Sequence, residues 1–158
     1  MRISIENKVL SLIFDDLIEM RTKIEPIATK YEGAIDNRIG YNFPKKYLNF
    51  SIVTNKEFEY VIAYVNGDRN TAIHEMSHAK FYLDSDYRKH ATKIWNNLKY
   101  LKKQKIEKRF RDLGYHHEST FVDEYAAYLA ENHKIIRVFW DLIFDIRCNF
   151  QWTNLQFH

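Results

Sequence analysis

The sequence predicts an α+β domain that is mostly helical and contains a small β-sheet before its central helix. Two runs, "YLNFSIV" at 47–53 and "EFEYVIAYV" at 57–65, are rich in the β-branched and aromatic residues that are typical of strands. In most other segments, apolar residues recur at steps of three and four, which indicates amphipathic helices. Only four Gly and two Pro occur in the chain, which favours a few long regular elements over loops.

The N-terminal segment is predicted to be a helix, because apolar residues recur there at helical spacing: Leu10, Ile13, Leu17, Met20, Ile24 and Ile27. Pro26 is expected to kink or divide this helix. Residues 33–47 are predicted to be loop, since they contain Gly33, Gly40, Asn42 and Pro44.

The two strands follow, and the turn "NGD" at 66–68 is expected to end the second of them. A helix should then run to about Leu83, and three residues before it can cap it: Asp68, Asn70 and Thr71.

Three further helices are predicted downstream. The first is a long helix over 86–112 that ends before Gly114, with this inner apolar stripe: Ala91, Ile94, Trp95, Leu98, Leu101 and Ile106. The second covers 121–133, with Ser119 or Thr120 as its cap, and the third is the apolar stretch at 135–150.

Length and composition indicate one folded domain over 1–158. The 158 residues are 46% apolar, which is enough to build a single core, and the formal net charge is only +3. One cysteine, Cys148, excludes an internal disulfide framework and a cysteine-based zinc site. The N-terminus lacks the features of a signal peptide, and no window resembles a membrane span, so we expect a cytoplasmic protein.

The segment "TAIHEMSHAKFY" at 71–82 carries the clearest chemical signal. His74 and His78 are four residues apart, so a helix places both imidazoles on one face, where they can bind one zinc ion. Glu75 lies beside the pair and can take a proton from a water activated by the metal. The alternative is a pair of histidines on a solvated helix face or in the core.

A catalytic zinc ion usually has three protein ligands, so a third residue is needed. We favour Glu124, because it lies in "DEYAAYLA", where small residues allow close helix packing and a buried carboxylate needs a partner. Asp123 is its nearest rival. The other downstream candidates are His116, His117, Glu118, Glu131 and His133.

The chain resembles a known family in this region. "NTAIHEMSHAKFY" followed by "FVDEYAAYLAEN" resembles the gluzincin branch of the zincin metallopeptidases, and most of all the catalytic domain of anthrax lethal factor. The likeness to ImmA-like peptidases is looser, and it includes the pattern E-x-x-A at Glu124–Ala127. The similarity covers about residues 57–134 and implies a zincin-like zinc metallopeptidase that hydrolyses peptide bonds.

The resemblance also implies roles for individual residues. His74, His78 and Glu124 would hold the zinc ion, Glu75 would be the general base, and a tyrosine shortly before the third ligand, here Tyr115, would stabilise the oxyanion. His116 and His117 also qualify by chemistry as donors to the oxyanion. Where many gluzincins have an aspartate four residues after the glutamate, this chain has Tyr128. The strand before the active helix, 57–65, would lie at the sheet edge and pair with extended substrate, unless it is simply a core strand.

A second class of function stays open at this point. The chain could be a catalytically silent binding protein on a zincin scaffold that contacts nucleic acid through the basic helix at 98–111. Apolar residues at helical spacing in that run favour a solvated outer face instead. We therefore expect a peptide or protein substrate, without nucleic acid. The sequence gives no oligomeric state, and a secreted, toxin-like role stays open.

Overall fold

The computed structural model describes residues 1–33, 35, 38–49 and 57–131. Within them, one mixed sheet of four strands precedes the main group of helices, which confirms the predicted α+β class. The strands stand in the order β1-β2-β4-β3, and their bounds are Arg2–Glu6 (β1), Val9–Phe14 (β2), Gly40–Pro44 (β3) and Tyr60–Val65 (β4). β2 and β4 are parallel, whereas β1 and β3 pair antiparallel with β2 and β4.

The predicted N-terminal helix is wrong over its first part. Leu10 and Ile13 belong to β2, and helix α1 extends over Leu17–Glu32. Asp16 caps α1 by accepting a hydrogen bond from the backbone N–H of Glu19. The helix continues through Pro26 and is not divided there.

The prediction of a loop over 33–47 is also wrong in part, because it contains β3 and a 3₁₀ turn at Lys45–Tyr47. Tyr47, the first residue of the predicted strand 47–53, belongs to that turn, and residues 50–53 lie outside the described part of the chain. The second predicted strand is confirmed as β4, which ends at the turn expected at 66–68.

The two faces of the sheet are covered by different helices. Residues of β2, β3 and β4 that face α1 form one apolar core: Leu10, Leu12, Phe14, Tyr41, Phe43, Val61 and Ala63. On the other face, Tyr60 and Ile62 pack with Ala79 of helix α2, which extends over Arg69–Leu83. β4 therefore has strands on both sides and helices on both faces. It is a core strand and not the edge strand that the resemblance implied.

Two helices occupy the region where one long helix was predicted. Helix α3 covers Ser85–Asn96 and α4 covers Tyr100–Asp112, so the prediction of a continuous helix over 86–112 is wrong. Leu101, which was assigned to the inner stripe, is 71% exposed because the break changes which face points inward.

Helix α5 covers Phe121–Ala130 and joins α3 and α4 around a second core. Its largest buried members are Trp95, Ile106, Phe110, Phe121 and Tyr125. Thr120 stands at the N-cap position of α5, but its side chain makes no capping hydrogen bond.

None of the described helices is long and apolar enough to span a bilayer. The predicted helix over 135–150 and the thiol of Cys148 lie outside the described residues.

Candidate metal centre

Helix α2 carries the two histidines of the motif on the face that meets α5. Asp68 fixes the start of this helix, because its carboxylate accepts hydrogen bonds from the backbone N–H of Thr71 at 3.0 Å and from its hydroxyl at 2.7 Å. One helical turn separates His74 from His78, so both side chains point the same way. Both are buried between the helices.

Three side chains from α2 and α5 converge on one point. The Nε2 atoms of His74 and His78 are 3.1 Å apart. Glu124 Oε2 lies 3.8 Å from Nε2 of His74, and Glu124 Oε1 lies 3.7 Å from Nε2 of His78. Ligand atoms of all three residues lie within 4.8 Å of one another, so the buried group can hold a metal ion.

The remaining ring nitrogens of the histidines face two further carboxylates. His74 Nδ1 lies 2.6 Å from Glu131 Oε1, and His78 Nδ1 lies 2.9 Å from Asp123 Oδ1. A carboxylate at this distance favours a hydrogen on Nδ1, and a ring with its hydrogen there would present Nε2 to a metal ion. Carboxylates in this position orient the imidazole rings of metal sites.

The pKa shifts of His74 and His78 indicate that the carboxylates around them favour a positive charge at this place. Burial by itself lowers the pKa of His74, but the contact with Glu131 and the nearby carboxylates outweigh it and raise that pKa. Burial also opposes protonation of His78, yet Asp123 and Glu124 raise its pKa well above the usual value. For Glu124, burial dominates and raises the pKa of the carboxyl, although both histidines act in the opposite direction.

A metal ion would bind the buried nitrogen and oxygen atoms that converge in this cluster. The two Nε2 atoms lie 3.1 Å apart, so a proton or a metal ion between them can bind both. Tetrahedral ligands at about 2.0–2.1 Å from a zinc ion lie about 3.3 Å apart, close to the separation found here. Glu124 Oε2 is buried and has no hydrogen-bond partner among the described residues. The donor set therefore fits a divalent cation.

Glu75 lies on the sheet side of the same helix. It is buried, and its charge contributes to the pKa values of His74, His78 and Glu124, which places it beside the cluster. Its Oε2 accepts a hydrogen bond from Asn42 Nδ2 of β3 at 2.8 Å. The backbone of Gly40 passes so close that a Cβ at this position would overlap Glu75 Oε1 and Thr71 Cγ2.

Tyr115 also faces the cluster. Burial, followed by the charge of Glu124 and the neighbouring Tyr128, raises the pKa of Tyr115 far above its usual value, so the phenol keeps its proton. The ring of Tyr128 packs edge-on against His74 with centroids 4.9 Å apart, and burial with the charge of Glu124 raises the pKa of Tyr128 to about 12.

Other sequence candidates do not join the cluster. His116, His117 and Glu118 are exposed, and Glu118 pairs with Arg111 at 2.7 Å. Asp123 and Glu131, which were candidates for the third ligand, contact the outer nitrogens of the histidines instead. His133 lies outside the described residues.

The basic run at 98–111 lies mainly on α4. Ile106 and Phe110 point into the second core, and several basic side chains already have partners. Lys108 pairs with Asp112 at 2.9 Å, and Lys103 Nζ stands over the ring of Trp95. These contacts are those of a solvated helix face.

Comparisons with protein-family models, with curated proteins and with solved structures gave no match for this chain.

The sequence analysis missed the roles of four residues. Asn42 and Gly40 were assigned to a loop, although both lie on a strand beside the helix of the motif. Glu131 follows Glu124 by seven residues, two helical turns, and this spacing was a usable signal for a second carboxylate on the same side. Asp123 was considered only as a ligand, because contacts to the outer ring nitrogens depend on how α5 packs against α2.

Proposed function

We propose that this chain is a zinc-dependent metallopeptidase of the zincin type. The observation that carries the proposal is the convergence of His74, His78 and Glu124 between two helices, with the carboxylate of Glu75 beside them. His74 and His78 would hold the ion through Nε2, and Glu124 through its carboxylate. Two imidazoles and one carboxylate form a ligand set common in hydrolytic zinc sites.

The metal ion would supply Lewis acidity, which polarises a substrate carbonyl and makes water more acidic. Glu75 accepts a proton from the attacking water while the water oxygen bonds to the carbonyl carbon. The same carboxyl then gives the proton to the amine nitrogen as the C–N bond breaks. The products are a new carboxylate and a free amine.

We assign to Tyr115 the hydrogen bond to the negative charge that develops on the carbonyl oxygen. Tyr115 is partly buried beside Glu124 and its phenol stays protonated, so it can donate a hydrogen bond. Tyr128 packs against His74 and supports this side of the site.

The proposed substrate site includes strand β3, along which an extended peptide would bind. Among the described strands, β3 is bonded to β4 alone, and its residues Gly40 and Asn42 adjoin Glu75. An extended peptide added along this edge would pass the cluster, and main-chain pairing would hold it.

The test compares the wild-type chain with Glu75→Gln, and uses Glu118→Gln as a matched control for an exposed glutamate. Bound metal is identified and counted by elemental mass spectrometry, and cleavage of a peptide library is followed by mass spectrometry. Imidazole and carboxylate ligands also bind iron(II), so the elemental analysis decides the ion.

We expect Glu75→Gln to keep one equivalent of metal and to lose cleavage by about 10²–10⁴-fold. Glu118→Gln should behave as the wild type. Equal cleavage by Glu75→Gln and wild type would remove Glu75 from the mechanism, and a wild-type protein that holds metal without cleaving any peptide would refute the proposed activity.

A further inference from the structure

Asn42 is a buried polar residue on β3 whose amide nitrogen and oxygen both make hydrogen bonds. Its Nδ2 donates to Glu75 Oε2 at 2.8 Å, and its Oδ1 accepts from the hydroxyl of Tyr60 at 2.6 Å. Asn42 and Glu75 are about 95% buried, and Tyr60 is 1% exposed. Three elements, β3, β4 and α2, therefore meet in one short chain of hydrogen bonds.

The orientation of the Asn42 amide follows from its two neighbours. A carboxylate oxygen accepts the hydrogen bond from the N–H₂ end of the amide, which therefore faces Glu75. The carbonyl end then faces Tyr60, which donates its O–H. The reverse orientation would aim the amide oxygen at the carboxylate of Glu75 and leave two acceptors in contact.

Strand register makes this chain of contacts rigid. Asn42 stands opposite Ile62 in the β3–β4 ladder, and Tyr60 lies two residues from Ile62, so Asn42 and Tyr60 are diagonal neighbours on one face. β4 is bonded to strands on both sides, so the tyrosine that holds Asn42 is anchored in the middle of the sheet.

A glutamate side chain has three rotatable bonds and needs such support to hold one geometry. We propose that Asn42 is a positioning residue that fixes the carboxylate of Glu75, and that Tyr60 in turn fixes Asn42. The sheet thereby orients the carboxylate of Glu75, which lies on the same helix as His74 and His78. The inference rests on the proposed function only in naming Glu75 the general base.

Gly40 supplies a second observation on the same contact. It lies two residues before Asn42 on β3, and a side chain there would collide with both Glu75 and Thr71. Its backbone φ is not in the left-handed region, so the absence of a side chain serves the close approach of β3 to Glu75 and not a turn.

The test uses Asn42→Leu, which has similar volume without the amide, and Tyr60→Phe, which removes one hydroxyl. Tyr64→Phe is the matched control, because Tyr64 faces the same side of β4 and its hydroxyl interacts with Ser11. Tyr60→Phe is mild enough to keep the fold if Asn42→Leu does not.

The first readout is the conformation of Glu75 in crystal structures of the metal-free full-length variants. We expect the Glu75 carboxylate to leave its position in Asn42→Leu and to adopt more than one conformation in Tyr60→Phe, while Tyr64→Phe matches the wild type. An unchanged Glu75 in both variants overturns the inference, whether or not the protein cleaves peptides.

The second readout is steady-state kinetics on a substrate identified from the library. We expect kcat to fall about 10²-fold in Asn42→Leu and less in Tyr60→Phe, with KM and metal content unchanged. In a Glu75→Gln background, Asn42→Leu should have no additional effect, because it acts through Glu75. An equal loss in both backgrounds would mean that Asn42 acts independently of Glu75.

These outcomes separate the two proposals. A wild-type protein without peptidase activity whose Glu75 nevertheless moves in Asn42→Leu supports the positioning role and refutes the activity. An active protein whose Glu75 stays in place in both variants supports the activity and refutes the positioning role.

Discussion

The Nδ1 atom of His78 lies 2.9 Å from Oδ1 of Asp123, and Asp123 is the residue immediately before Glu124. One helix therefore contacts both nitrogens of the same imidazole, since Glu124 approaches Nε2 from the other side. Glu131 repeats the arrangement on His74 at 2.6 Å. Tyr128 stands where many gluzincins have an aspartate, and in this chain Asp123 and Glu131 are the carboxylates that contact the outer nitrogens of the two histidines.

Replacing Asp123 by Asn should weaken metal binding while keeping all three ligands. The neutral amide holds the ring of His78 less firmly and makes its Nε2 less basic, so we expect a Kd about 10–100-fold higher. Glu131→Gln should act in the same direction through His74. Titration with a competing chelator measures both, with Glu118→Gln as the control, and an unchanged Kd in both variants would contradict the assignment.

Removing the metal should destabilise the wild-type chain, and Glu124→Gln should abolish that response. A ligand at 100 times its Kd stabilises the folded state by about 2.7 kcal/mol. For a domain of this size that corresponds to about 5–10 °C in Tm. Calorimetry with and without a chelator gives the shift in Tm. The same shift in Glu124→Gln would show that another residue is the third ligand.

Tyr115→Phe should reduce kcat by about 10²-fold with bound metal unchanged, since it removes one donor to the developing negative charge. Steady-state kinetics on a cleaved peptide measures the change. Tyr100→Phe, at a tyrosine that is 72% exposed on α4, serves as control. Normal turnover in Tyr115→Phe would show that another group stabilises the oxyanion.

Gly40→Ala should destabilise the fold by about 1–3 kcal/mol, because the new methyl group is forced against Glu75 and Thr71. Chemical denaturation measures the loss. Adding Thr71→Ser removes one of the colliding methyl groups and keeps the hydroxyl that bonds Asp68, so it should recover part of the stability. A Gly40→Ala variant as stable as the wild type would show that β3 can move away from α2 at little cost.

The local part of the site could be predicted from the sequence because it depends on one helix. The helix to about Leu83 and the shared face of His74 and His78 follow from spacing within one short segment. The sequence left the cap open among Asp68, Asn70 and Thr71, and the structure shows it at Asp68. The choice of Glu124 followed from its small neighbours, and Ala126 and Ala127 are indeed buried.

The rest depends on packing between elements that are distant in the chain. β2 was mistaken for helix because it is buried on both faces, so apolar and polar residues do not alternate along it. In addition, the spacing of Leu10 and Ile13 continues into the apolar pattern of α1. β3 is short and contains Gly and Pro, which are typical of loops. Asn42 therefore gave no sign that it would meet Glu75, which is 33 residues further along.

The most direct test of the central claim is an anomalous diffraction measurement at the zinc edge on crystals of the zinc-loaded full-length chain. The account predicts one strong peak about 2.0–2.2 Å from Nε2 of His74, Nε2 of His78 and a carboxylate oxygen of Glu124. Absence of a peak between these three side chains, or an ion bound instead at His116 or His117, would contradict it.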